Sequence, residues 1–113
     1  MYDIKHNIIL DSGAGITVIG GTFCDTYLRN NIKIVPNITT VTAANRQHMT
    51  VRGATVIKIQ ISTLIDNINF LVIDELGMDI IIGNDQLKAW NAKINYEDET
   101  VELGMGIIVP INI

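Results

Sequence analysis

One acidic turn carries the clearest chemistry in this sequence. Asp11, Ser12 and Gly13 follow the apolar run from Ile8 to Leu10, a pattern that predicts a buried strand ending in a tight turn. On its own, this triplet is also an ordinary turn sequence. Two carboxylates that share one proton can activate a water molecule for hydrolysis, with one acting as base and the other as acid. The chain contains a single Asp-Ser-Gly, so one copy would hold half of such a pair. We therefore expect a C2 homodimer in which Asp11 of each protomer meets its counterpart across the axis.

A second apolar strand accompanies this turn. Ile80 to Ile82 lead into Gly83, and a short helix is predicted from Asn84 or Asp85 to Trp90. Leu87 and Trp90 fall on one face of that helix, which favours Trp90 as a core anchor.

The two motifs together resemble those of the retropepsins, the single-domain aspartic proteases of retroviruses and LTR retrotransposons. In that family an apolar strand enters Asp-Ser/Thr-Gly-Ala, and Ile-Ile-Gly followed by a helix comes later in the chain. The retrotransposon form of the second motif, Ile-Ile-Gly-x-Asp-x-Leu, matches Gly83, Asp85 and Leu87. Between the motifs, residues 39–52 show the pattern of a β-hairpin at the place where the family has its flap. The resemblance thus spans most of the chain.

This resemblance implies a fold and an activity. The fold would be all-β and retropepsin-like: a closed single domain over residues 1–113, with a flap hairpin and one short helix near the C-terminus, assembled as a homodimer. The activity would be that of an aspartic endopeptidase that cleaves extended peptides within its own precursor polyprotein. Asp11 would be catalytic, and Ser12 and Gly13 would support the active site. Substrate-binding positions would be Ala14, Gly15, Ala44, Asn45, Asp79 and Ile81. The resemblance implies neither a cofactor nor a metal.

Two positions depart from the retroviral pattern. Retroviral members commonly carry an Asp directly after the Ala and an Arg directly after the second-motif Gly, and these two residues form an ion pair. This chain has Gly15 and Asn84 at those positions. Both halves of the pair are replaced together, which favours a retrotransposon-type variant. The flap tip at Asn45 and Arg46 also lacks the glycine that is usual in the family.

Charge and composition exclude several partners. The chain of 113 residues has 8 basic and 12 acidic residues and a net charge of -4, which gives no basic surface for a nucleic acid. No apolar stretch approaches the roughly 20 residues of a membrane helix, and the N-terminus lacks the features of a signal peptide. We therefore expect no membrane partner and an intracellular, cytoplasmic location, including the interior of virus-like particles. Cys24 is the only cysteine, and its apolar context favours a role as core filling.

The pattern of isoleucine and valine predicts many short strands. The predicted strands are Tyr2–Lys5, Asn7–Leu10, Thr17–Ile19, Ile32–Val35, Thr39–Ala44, His48–Arg52, Thr55–Ile61, Ile68–Ile73, Ile80–Ile82, Ala92–Asn95, Thr100–Leu103 and Ile107–Ile111. A first helix is predicted over Thr22–Leu28, with Thr22 as N-cap and Asp25 placed for a capping box.

Three alternatives remain open from the residues. Gly13-Ala14-Gly15 begins like a dinucleotide-binding turn, but the third glycine of that fingerprint would fall on Val18, and the long alternating helices are missing. A catalytically silent dimerisation or peptide-binding module could keep the same fold. The apolar strand Ile107–Ile111 could join a dimer sheet or pack into the core of its own protomer, with Pro110 at an edge or a bulge.

Overall fold

Ten strands form in the part of the chain that the computed structural model describes, which comprises residues 8–28, 34–36, 40–42, 48–74 and 76–111. The strands are β1 (Ile8–Leu10), β2 (Val18–Gly20), β3 (Val35–Pro36), β4 (Thr40–Thr42), β5 (His48–Ile61), β6 (Leu64–Ile73), β7 (Ile80–Ile82), β8 (Lys93–Asn95), β9 (Thr100–Leu103) and β10 (Ile107–Pro110). The helical segments are α1 (Gly21–Phe23), which continues into a π-helical turn (Cys24–Leu28), α2 (Asn84–Ala89) and a 3-10 turn (Gly104–Gly106). The predicted all-β class is confirmed. None of the helices in these described ranges combines the length and apolar character needed to cross a membrane.

The main sheet has the strand order β1-β7-β2-β6-β5-β3, and β4 pairs with β5. β1 runs parallel to β7 and β2 runs parallel to β6, whereas β2 and β7 are antiparallel. A separate antiparallel sheet has the order β10-β9-β8. Because β1 and β7 are parallel, both strands end at the same edge of the main sheet. Asp11 and Gly83, which follow these strands, are therefore brought to that edge.

The long strand β5 corrects one prediction. The sequence predicted separate strands over His48–Arg52 and Thr55–Ile61, but the structure has one strand through both ranges. The register against β6 shifts between Val51 and Gly53, as in a β-bulge. A bulge accommodates an extra residue without ending the ladder, which explains why the glycine did not break the strand.

The start of β6 corrects a second prediction. This strand begins at Leu64 rather than at Ile68, because a turn at Ser62 and Thr63 folds the chain straight back on β5. Ser62 adopts a positive φ of 54°, and Ile61 pairs with Leu64 across the turn. The other predicted strands agree with the structure to within one residue wherever they are described, and Tyr2–Lys5 lies outside the described residues.

The first predicted helix is partly wrong. Helical structure covers Thr22–Leu28, but α1 already begins at Gly21, and no side chain caps it. Thr22 is therefore not the N-cap. Asp25 makes no capping-box contact in the described structure; its carboxylate accepts hydrogen bonds from Arg52 Nη1 at 2.8 Å and Nη2 at 3.0 Å. A charge-assisted bidentate pair is stronger than a hydrogen bond to a backbone N–H, so Asp25 pairs with Arg52 and does not cap the helix.

Arg52 connects three elements at the bulge of β5. Besides Asp25 in the π-helical turn, its guanidinium donates to Asp74, directly after β6. The hydrogen bonds from Arg52 hold the pKa of Asp25 below its usual value, and both carboxylates raise the pKa of Arg52. The contact ties the start of β5 to the segment that follows β2.

Asp25→Asn should destabilise the protein at neutral pH, because the ion pair is lost. The folded-state pKa of Asp25 is lowered, so its contribution is present above the unfolded value of 3.8 and is lost as pH falls through the folded value. Urea unfolding of wild type and Asp25→Asn should therefore differ at neutral pH and converge in strong acid. Asp98→Asn, which removes an exposed carboxylate bonded to Asn95, is the control. A stability difference that does not change with pH would contradict this assignment.

Among the residues that the structure describes, buried apolar side chains form two clusters on opposite faces of the main sheet. The main core includes Ile19, Ile68, Val72 and Ile82, each fully shielded from solvent. Strand alternation sends their neighbours to the other face. There Val18, Val51 and Ile73 form what we call the minor cluster, with Met49, Leu71, Leu76 and Ile81 packed against it.

Trp90 and Cys24 both serve the main core, as predicted. Trp90 packs against it while its Nε1 donates to Asp66 Oδ2 at 2.8 Å. Cys24 is buried, and this burial raises the pKa of its thiol to about 11. The thiol therefore stays protonated at neutral pH, which suits core filling rather than nucleophilic chemistry.

The last strand, β10, pairs with β9 of its own chain. Ile107 and Val109 pack against the main core, whereas Ile108 points outward and is 64% exposed. This strand therefore packs onto its own protomer, and its addition to a dimer sheet stays a prediction. Pro110 lies in a strand at the edge of the described sheet, where its missing N–H costs no ladder bond.

Candidate active site

The carboxylate of Asp11 is held by its own turn. The backbone N–H of Asp11 extends the β1–β7 ladder by donating to the carbonyl of Ile82 at 2.9 Å. The N–H of Ala14 donates to the carbonyl of Asp11 at 3.2 Å, which closes the turn. The N–H of Gly13 donates to Asp11 Oδ1 at 2.8 Å. Asp11 is half-buried, and these hydrogen bonds orient its carboxylate.

Strand alternation determines the face on which this carboxylate lies. Leu10 belongs to the main core, so its neighbours Ile9 and Asp11 are directed to the opposite face. Ile81 pairs with both Ile9 and Val18, and it packs on the minor cluster. Asp11 therefore projects on the side of the sheet that carries the minor cluster, next to an apolar surface built by β2, β6 and β7.

The β4–β5 hairpin lies on the same side. Its arms pair in the described residues, with Thr40 opposite Thr50 and Thr42 opposite His48. Farther along β5, Met49 and Val51 belong to or pack on the minor cluster. The predicted hairpin is present in its arms. Its tip, residues 43–47, lies outside the described residues, so the substrate contacts predicted for Ala44 and Asn45 remain predictions.

Gly83 lets the loop after Asp11 pack directly on the start of α2. A Cβ added at Gly83 would lie 2.6 Å from the carbonyl oxygen of Ile16 and 2.8 Å from that of Ala14. Atoms at such distances overlap severely, and the neighbours are backbone atoms that cannot turn away. The glycine of the second motif is therefore required by close backbone approach and not by its φ angle.

Thr17 is the central hydrogen-bonding residue of this contact. The residue is 1% exposed. Oγ1 accepts from the N–H of Gly83 at 3.0 Å and donates to Asp85 Oδ1 at 2.6 Å. The N–H of Thr17 also donates to Asp85 Oδ2 at 3.2 Å, and Asp85 Oδ1 accepts from the N–H of Gln86 at 2.7 Å. Sequence reasoning noted Asp85 in the motif but missed Thr17, because no local pattern marks a buried threonine as its partner.

Asn84 holds the loop of residues 11–16, which we call the acidic loop, at two further points. Its backbone N–H donates to the carbonyl of Ala14 at 2.7 Å, and its side-chain Nδ2 donates to the carbonyl of Ser12 at 2.6 Å. The sequence identified this position only as a departure from the retroviral pattern. In the structure the amide makes a direct contact with the residue that follows Asp11.

The remaining predicted site residues are placed differently. Gly15 is exposed, and a Cβ there would have no neighbour within 4 Å. Asp79 precedes β7, at the opposite end of that strand from Asp11, and its carbonyl accepts from the N–H of Gly20 at 2.8 Å. Asp79 and Met78 line an open groove of about 530 Å³. The structure thus gathers Ser12, Gly13, Ala14 and Ile81 near Asp11 and sets Asp79 apart. Substrate binding by any of these residues remains a prediction.

Gly83→Ala should destabilise the fold and disturb the acidic loop, because the added methyl group would overlap backbone carbonyls. Overpacking of this kind costs about 1 to 3 kcal/mol of unfolding free energy. The measurement is denaturant unfolding of both variants and wild type, with Gly104→Ala as control, since a Cβ at Gly104 meets nothing within 4 Å. Equal stability of the Gly83 and Gly104 variants would contradict the close-approach argument.

Comparisons with known proteins bear on the family and the fold of this chain. The sequence model of the family described as retroviral aspartyl protease matches residues 1–106. The chain is also similar to the crystal structure of the retroviral protease-like domain of Ddi1 from Leishmania major. The TM-score is 0.68 at 21% sequence identity, over 96% of this chain and 85% of that chain. At this identity the likeness concerns the fold, and the predicted retropepsin-like fold is confirmed. A comparison with curated protein sequences found no match.

Proposed function

Because the chain belongs to the retroviral aspartyl protease family, we propose that it is an aspartic endopeptidase of the retroviral or retrotransposon type. The observation that carries the proposal is the placement of Asp11. Its carboxylate is braced by the N–H of Gly13 at 2.8 Å and lies on the sheet face that bears the minor cluster. A half-buried acid beside an apolar surface suits general acid–base chemistry on a bound peptide.

One protomer supplies half of the catalytic pair, so we propose a C2 homodimer. Members of this family typically act as dimers on peptide substrates. In the dimer, the two Asp11 carboxyl groups would share one proton, because like charges so close cannot both ionise. The ionised group takes a proton from a water molecule, whose oxygen attacks the peptide carbonyl carbon. The protonated group hydrogen-bonds the carbonyl oxygen as the tetrahedral intermediate forms. Proton transfer to the amide nitrogen then allows the C–N bond to break.

The substrate would be an extended, largely apolar segment of a polyprotein. Ile81 and the minor cluster offer apolar pocket walls on the Asp11 side. Ala14 and Gly15 would form the floor, Asp79 would border the site at its far end, and the β4–β5 hairpin would cover the peptide as a flap through Ala44 and Asn45. Main-chain hydrogen bonds from such a hairpin would bind an extended peptide. Processing of a polyprotein would occur in the cytoplasm or inside virus-like particles.

Asp11→Asn should abolish peptide cleavage and leave the dimer folded, because the amide is nearly isosteric but cannot act as a base. Cleavage of a peptide library is compared among wild type, Asp11→Asn and Glu97→Gln, which removes an exposed carboxylate from the 96–99 turn. Wild type and Glu97→Gln should cleave, with an acidic optimum and inhibition by statine-type peptides that mimic the tetrahedral state. Retained cleavage by Asp11→Asn would remove Asp11 from the catalytic role. A cleavage-free wild type would favour a silent binding module.

Mixing wild type with Asp11→Asn tests whether the active site is shared. If each site needs Asp11 from both chains, refolding an equal mixture should leave about one quarter of the dimers active. Independent sites on each chain would leave about half of the sites active. Activity per total protein is measured across a series of mixing ratios, with the mass by light scattering as control. A linear rather than quadratic dependence on the wild-type fraction would contradict the shared site.

A further inference from the structure

One peptide group connects Asn84 to the carboxylate of Asp11. The carbonyl of Ser12 and the N–H of Gly13 are the two ends of that group. Its oxygen accepts from Asn84 Nδ2 at 2.6 Å, and its N–H donates to Asp11 Oδ1 at 2.8 Å. The three groups therefore form a continuous chain of hydrogen bonds from the second motif to the catalytic carboxylate.

Two physical effects follow from this chain. The peptide group is planar, so fixing the direction of its carbonyl also fixes the direction of its N–H. Hydrogen bonds in series polarise one another, so a donor on the oxygen of Ser12 strengthens the bond that the N–H of Gly13 gives to Asp11. Without that donor, the peptide between Ser12 and Gly13 could rotate within the turn, and Asp11 Oδ1 would lose part of its support.

Asn84 is itself well fixed. Its backbone N–H donates to the carbonyl of Ala14 at 2.7 Å, and it directly follows Gly83, which is packed against the backbone of Ile16. The backbone contact does not depend on the side chain. Substitution of the side chain therefore removes the bond to Ser12 while leaving the attachment of α2 to the loop in place.

We propose that Asn84 is a positioning residue for Asp11, acting through the peptide group between Ser12 and Gly13. Its effect on turnover rests on the proposed protease function, whereas the hydrogen-bond chain can be tested in the absence of turnover. In this chain the neutral amide of Asn84 orients the acidic turn, at a position where the sequence departs from the retroviral ion pair.

The test uses Asn84→Ala, which removes the donor, and Asn84→Asp, which replaces it by an acceptor of the same shape. Gln86→Glu makes the same amide-to-acid change on α2 and is the control. In NMR spectra of the protein, the chemical shift of the Gly13 amide proton reports the hydrogen bond to Asp11. The chemical shift of the Thr17 amide proton reports whether the neighbouring bond to Asp85 survives. We expect the Gly13 resonance to move upfield in both Asn84 variants, while Thr17 and the control stay unchanged.

Kinetics then separate positioning from folding. In the Asn84 variants kcat should fall about tenfold, with KM within about twofold of wild type, because the donor supports the reacting group and not the bound peptide. An unmoved Gly13 resonance in Asn84→Ala would overturn the hydrogen-bond chain, whether or not the protein cleaves peptides. A shifted Gly13 resonance with unchanged kcat would overturn the positioning role. A shift of the Thr17 amide resonance in both variants would show that Asn84 has a purely structural role, and this too would overturn the proposal.

Discussion

The absence of a side chain at Gly83 is the constraint on which the site depends. It lets the backbone of Ile16 come so close to the start of α2 that a single Cβ would be 2.6 Å from a carbonyl oxygen. This approach places Thr17 beside Asp85 and the acidic loop beside Asn84, where the hydrogen bonds described above can form. Two motifs that are far apart in sequence are thus joined by backbone packing and hydrogen bonds. These contacts hold the turn that carries Asp11.

The strands β1 and β7 direct core residues to one face of the main sheet and Asp11 to the other. Alternation along β1 and β7 puts Leu10 and Ile82 into the main core and Asp11 and Ile81 on the opposite face. The core can therefore be packed tightly without involving the face on which Asp11 lies. Under the proposed function each protomer contributes one acidic turn, so a complete catalytic pair on this face would require a second copy related by symmetry.

Sequence reasoning predicted the pattern-based features and missed those that depend on distant partners. The apolar runs identified β7 and β9 with their bounds, and the two motifs identified Asp11 and Gly83. The predicted strands His48–Arg52 and Thr55–Ile61 are a single strand in the structure, because local sequence does not show that a neighbouring strand continues the ladder across the bulge. Thr17 was missed for the same reason: its partners lie more than sixty positions along the chain, and only the folded loop brings them together.

The most direct test of the account is a crystal structure of the protein bound to a statine-type peptide. The account predicts a symmetric dimer in which the two Asp11 carboxyl groups lie about 3 Å apart around the statine hydroxyl. Asn84 Nδ2 should still contact the carbonyl of Ser12 in each protomer. A bound structure with the two acidic turns far apart, or with Asp11 capped by other protein groups, would contradict it.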